Sequence, residues 1–191
     1  MLGPSMRQVR GVLFLDYVKM VRSFKGGAID PYLGDDEIRH LALRIDANTW
    51  YPMAVFEKLG IAILATVARG ELFPVQLWGR YSADQLHKAY PTLLEKGHPV
   101  ETLRRFHVLR QTFFDFEAMS VPSIHDGEAQ ILINYFMGPI AEEAASFQAL
   151  GFFEGMLELS GAKDVRGDFK SKAWKGDEKS LLVMRWSEPD R

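Results

Sequence analysis

Between residues 10 and 24, Phe14, Tyr17, Val18, Val21 and Phe24 recur at helical spacing opposite Asp16, Lys19, Arg22 and Ser23, which predicts an amphipathic helix. Gly26-Gly27 ends it, and Asp30-Pro31 followed by Gly34 predicts a loop, because Gly admits left-handed dihedrals and Pro biases its predecessor away from helix. A short acidic helix is predicted over 35–43. A stronger one is expected over 52–70, capped by Thr49 and started at Pro52, with Val55, Phe56, Leu59, Ile63, Leu64 and Val67 as its buried stripe. The stretch 75–81 and a second segment opening at Ser82-Ala83-Asp84-Gln85, spaced like a capping box, predict a helix pair. From Pro99 a longer helix is expected to turn Val100, Leu103, Phe106, Leu109 (or Arg110) and Phe113 to one side.

After Phe116 the pattern changes to short apolar runs rich in β-formers. Residues 118–121 and 128–136 predict two strands around a turn at 122–127. Gly138-Pro139 opens a helix reaching about residue 159, with Gly161 placed as its C-terminal cap. Two more strands, near 164–174 and 179–186, flank the hairpin loop Lys175-Gly176-Asp177. Helices followed by β-β-α-β-β predict an α+β fold, a helical N-terminal subdomain (7–115) packed on a four-stranded antiparallel sheet (116–191), the two forming one integrated domain. Residues 1–6, with Leu2-Gly3-Pro4-Ser5 before a second methionine, read as a tag remnant.

Composition narrows the chemistry. The 191 residues are 47% apolar and 25% charged, which suits a folded globular protein. The 23 Lys and Arg nearly balance 25 Asp and Glu, so a net charge of −2 supplies no field for nucleic acid or an anionic membrane. No apolar run approaches the roughly 18 residues of a membrane span, and no signal-peptide pattern is present, so no membrane insertion and a cytoplasmic location are expected. The absence of cysteine excludes disulfides, thiolate metal sites and cysteine nucleophiles. Phosphate-loop, dinucleotide, nucleophile-elbow and zinc-helix motifs are also missing, and no catalytic residues stand out.

The five histidines never pair at i, i+3 or i, i+4, so no single helix offers a metal-binding face. His107 lies in the Pro99 helix near Arg104, Arg105 and Arg110; it reads first as a residue at a core boundary and second as a ligand. The acids at Asp35-Asp36-Glu37, Asp115 with Glu117, and Glu142-Glu143 read as solvated, the last pair also favoured by the helix dipole. Lys and Arg alternating with acids in the final hairpin read as a solvated strand surface and a weak oligomer edge, so a homodimer is one partner considered. Thirteen Phe, six Tyr and four Trp exceed a minimal core. Trp50, Tyr51, Trp78, Phe113 and Tyr135 are therefore candidates for the wall of a small apolar ligand site, with His107 and Arg110 as polar contacts.

The segments Arg10-Gly11-Val12-Leu13-Phe14, Trp50-Tyr51-Pro52, Leu77-Trp78-Gly79-Arg80, Ile131-Leu132-Ile133-Asn134-Tyr135, the block from Gly151 to Ala162 and Val183-Met184-Arg185-Trp186 together resemble a family of myxobacterial paralogues of unknown function. That family in turn resembles the heme nitric-oxide/oxygen-binding (H-NOX) fold and, more distantly, small-molecule-binding domains of the vinyl-reductase type. The resemblance implies a cavity between the two subdomains and a non-enzymatic sensory or regulatory role with a protein partner in signalling. It also implies a comparison with the gas sensors, whose axial His precedes by about thirty residues a Y-x-S-x-R motif that holds the heme propionates. His107 and Tyr135 match that separation, whereas Met137 and Pro139 stand where Ser and Arg would. The expected cofactor is accordingly none, with heme on His107 as the alternative, and an adaptor without ligand as a further one.

Overall fold

The computed structural model describes residues 6–188, so the expected tag remnant lies outside the described residues except for Met6. Two compact units emerge: one of residues 6–71 with Gln111–Glu117, the other of Leu72–Arg110 with residues 118–188. The division differs from the expected 7–115 and 116–191, because the helices of residues 72–110 pack with the sheet and the later helix.

In the first unit, β1 (Gln8–Arg10) leads straight into α1 (Gly11–Ser23), and β2 (Trp50–Pro52) into α3 (Met53–Thr66). The two strands pair antiparallel, Val9 opposite Tyr51, a small sheet that periodicity did not predict. Thr49 does not cap α3. Its carbonyl instead accepts the Gly11 N–H, and Pro52 stands at the helix N-cap. Gly11 is required sterically, since a Cβ there would lie 1.9 Å from the Asp46 carbonyl oxygen. The stripes of α1 and α3 meet at Tyr17 and Phe56, whose ring centroids are 4.0 Å apart, and Phe14 stacks on Tyr51 of β2 at 4.6 Å, whereas Val67, expected in the α3 stripe, is exposed just past the helix end. The short helix α2 (Asp35–Ala42) carries Glu37, whose carboxylate is buried, accepts the Gly34 N–H at 2.8 Å and lies 3.6 Å from Lys58 Nζ. The returning segment Gln111–Glu117 closes the unit, with Arg10 N–H donating to Phe113 O and Gln8 N–H to Asp115 Oδ1.

In the second unit, α4 (Leu72–Ala89) is one continuous helix rather than the expected pair. Ser82 forms no capping box because its hydroxyl donates back to Trp78 O, a bond available only inside a helix. The helix α5 (Pro99–Leu109) ends earlier than predicted, in a 3-10 turn, so Phe113 falls in the first unit. The strands β3 (Met119–His125), β4 (Glu128–Ile133), β5 (Lys163–Ser171) and β6 (Ser180–Ser187) form an antiparallel sheet of order β3-β4-β6-β5, as the β-β-α-β-β reading predicts. The first turn is shorter than expected. Asp126-Gly127 makes it, and β3 runs through Pro122 with a register shift between Ser120 and Ser123. Pro is tolerated there because β3 is an edge strand.

The helix α6 (Pro139–Leu159) has the predicted bounds and is buried on most sides. It faces α4 through small residues: a Cβ on Gly151 would meet Gln76 O at 1.8 Å, and one on Gly79 would meet Gln148 O at 2.0 Å. Backbone-to-backbone contact of this kind is open only to Gly. The face toward the sheet sets Leu150 against Gly167 and Phe147 against Phe169 at 5.6 Å. Phe106 of α5 lies 5.1 Å and 5.2 Å from the rings of Phe152 and Phe153.

Candidate functional site

The sequence-derived candidates divide between the units. In the first, Trp50 is half-buried with the Arg10 guanidinium 4.8 Å from its ring centroid. Tyr51 is buried against Phe14, and its hydroxyl accepts the Asp46 N–H at 2.9 Å; Phe113 is buried as well. In the second unit, Trp78 is half-buried on α4, His107 and Arg110 share the C-terminal turn of α5, and Tyr135 is buried just beyond β4.

His107 and Arg110 are brought together by their three-residue spacing. The Arg110 guanidinium folds back onto its own chain, donating to the carbonyls of His107 and Met119, the latter at 2.9 Å. It thereby satisfies the His107 carbonyl left open at the end of α5 and ties that end to the start of β3. His107 Nδ1 is buried with no hydrogen-bond partner among the described residues. Burial, and then the nearby Arg110 charge, hold the imidazole pKa below its ordinary value of 6.5, so the ring is neutral at pH 7.

The loop from β4 to α6 encloses a buried carboxylate with backbone donors. The Glu142 carboxylate, 3% exposed, accepts the Tyr135 N–H at 2.8 Å on Oε1 and the Met137 N–H at 3.1 Å on Oε2. Between them Phe136 adopts a left-handed backbone (φ 57°) and donates its N–H to Asn134 Oδ1 at 2.7 Å, while Asn134 Nδ2 donates to Glu178 O. Three successive amides are thus taken by two side chains. The expectation that Glu142 is a solvated acid is corrected: the loop desolvates the carboxylate and replaces water with backbone donors. Glu37 is corrected for the same reason. The sequence signal was an Asn and a Glu bracketing a Gly-Pro loop, which fixes no geometry by itself.

The propionate-holding pattern can be tested against this loop. Tyr135 is present, but Met137 and Pro139 supply no cation, and the amides at 135 and 137 are already taken by the Glu142 side chain. Arg110 is committed to carbonyls of its own unit. These residues do not fit a heme held through its propionates.

Elsewhere in the unit, Arg80 bridges α4 to Glu154 and Glu158 of α6, at 3.0 and 2.7 Å. Among the described residues no group of three or more metal-ligating side chains converges, and no helix is long and apolar enough to cross a membrane.

No protein-family model and no curated protein matches the chain. Solved structures do. An H-NOX protein from K. algicida, unliganded in the Fe(II) state, aligns with a TM-score of 0.66 and 13% identity, covering 95% of this chain and 98% of that one. An H-NOX protein from S. oneidensis in the Fe(II)NO state aligns at 0.64 and 9%, covering 94% and 99%. A mutant of the T. tengcongensis H-NOX protein aligns at 0.61 and 10%, covering 95% and 100%. The fold is H-NOX-like.

Proposed function

We propose that this chain is a non-enzymatic sensory or regulatory module on the H-NOX fold, and that it works without heme. The observation that carries the reading is the Glu142 carboxylate bound to the amides of Tyr135 and Met137, with no cationic side chain at position 137 or 139. A heme brings two carboxylates that need paired donors and charge compensation. Here both loop amides are taken by a carboxyl group of the chain itself. The neighbours in Fe(II) and Fe(II)NO states support a sensing role for the fold, and the myxobacterial and vinyl-reductase likenesses belong to the same proposal. The signal would then be a small apolar ligand or a protein partner, either one acting by differential affinity for two states of the module.

The test is hemin titration of the purified protein, with native mass spectrometry for retained small molecules. The reading expects no stoichiometric Soret band. A one-to-one hemin complex whose Soret band is lost in His107→Ala overturns it.

A second reading, a heme sensor with His107 as axial ligand, is favoured by the unpartnered, buried Nδ1 and the neutral ring. His107 would hold the iron, and the iron would supply the gas-binding position. The same titration decides between the two.

A further inference from the structure

We propose that Glu142 is a tethered ligand: its carboxylate fills an anion site built by residues 134–138 and keeps that site closed to external carboxylates. The inference deepens the heme-free reading and rests on it for its biological sense.

The site is made by backbone. Phe136 in the left-handed region turns the flanking amides of Tyr135 and Met137 so that both reach one carboxylate, each to a different oxygen. Successive amides around a left-handed residue form a concavity suited to an anion. Asn134 holds the shape from the side, taking the Phe136 N–H and anchoring to Glu178 O, so the third amide does not compete for Glu142. Tyr135 is buried, so its amide has no ready access to water and would be left unsatisfied if Glu142 withdrew. A second carboxylate approaching the filled site would find both donors taken. The group this loop accepts is therefore a carboxylate, and the one it holds belongs to the first turns of α6. Anion occupancy and the position of that helix are thereby coupled, whereas an external anion would leave the helix start independent of the loop.

Chemical complementation tests this. In Glu142→Ala the loop keeps its amides and loses the carboxylate, so formate, compared with chloride at equal ionic strength, is expected to raise the melting temperature saturably and shift the Tyr135 and Met137 amide resonances downfield toward their wild-type positions. Wild type is expected to show no formate-specific response. Equal formate responses in wild type and variant, or none in the variant, overturn the proposal. Should Glu142→Ala fail to fold, Glu142→Gln decides: its carboxamide offers one acceptor oxygen, so at least one of the two amides must move upfield, and two unmoved amides overturn the proposal. Hemin binding by wild type would defeat the heme-free reading and leave these formate outcomes to be judged separately.

Discussion

Arg80 of α4 and Glu154 of α6 form an ion pair at 3.0 Å, with the Glu154 side chain 9% exposed and Gln76 Nε2 donating to the same carboxylate oxygen at 2.8 Å. Removing one partner of a buried pair leaves an uncompensated charge, which is costlier than the pair's net worth. Arg80 is itself 35% exposed, so solvent screens part of the effect. Arg80→Ala is expected to lose about 1–3 kcal/mol in urea denaturation. Glu158→Ala, removing the exposed partner at 2.7 Å, is expected to change stability by less than about 1 kcal/mol.

The contact between α4 and α6 makes a steric prediction. Ala is favoured over Gly in a helix by about 1 kcal/mol, yet the Cβ of Gly151→Ala would sit 1.8 Å from Gln76 O, a backbone atom that cannot step aside alone. The helices must separate, with a net loss of about 3 kcal/mol or more. Gly155→Ala meets Arg80 backbone atoms at 3.0 Å and is expected to lose less. Thermal denaturation of both variants should rank them in that order.

His107 predicts a pH dependence. Its pKa in the folded chain lies below 6.5 through burial and then the Arg110 charge, so below pH 6.5 the unfolded chain takes up a proton that the folded chain resists. Stability should therefore fall as pH drops from 6.5 through the folded-state pKa, and hold steady above 6.5. The His107→Asn variant should show a shallower slope in that window. A proton NMR titration of the imidazole reads the folded pKa directly.

Asp16 on α1 predicts the opposite sign. Burial raises its carboxyl pKa above 3.8, against the lowering effect of Lys19. The folded chain therefore holds this proton more tightly than the unfolded one, and the group's contribution to stability falls as pH rises from about 3.8 through the raised value. Asp16→Asn should be more stable than wild type at pH 7 and lose that advantage as the pH is lowered. Melting temperatures at about pH 4 and pH 7 check it.

How much was legible in advance differs from one element to the next. The helix α6 was readable to the residue, because Gly138-Pro139 and the segment's end at Gly161 are local punctuation around a long apolar segment. The three-residue strands β1 and β2 were not, since each is too short to show a period and exists only because the other lies beside it. The Ser82 signal pointed the wrong way: a capping-box spacing arises equally inside a helix, and only packing of α4 along α6 made the continuous helix the lower-energy choice. Of the candidate site, the nearness of His107 and Arg110 is legible because they stand three residues apart. Glu142 reads locally as a solvated acid, because the two amides that bury it are placed by the loop and not by the spacing.

By itself the sequence determined the helices α1, α3 and α6, the antiparallel β-β-α-β-β half and the absence of thiolate chemistry. These depend on periods of 2 and 3.6 residues, on Gly and Pro, and on which side chains exist at all. Only the tertiary structure decided which helices belong with the sheet, where Gly lets α4 and α6 touch backbone to backbone, and that a carboxylate at 142 is buried on two amides. Those outcomes turn on desolvation and close approach by residues that the fold brings together, and no local pattern encodes the neighbour that removes the water.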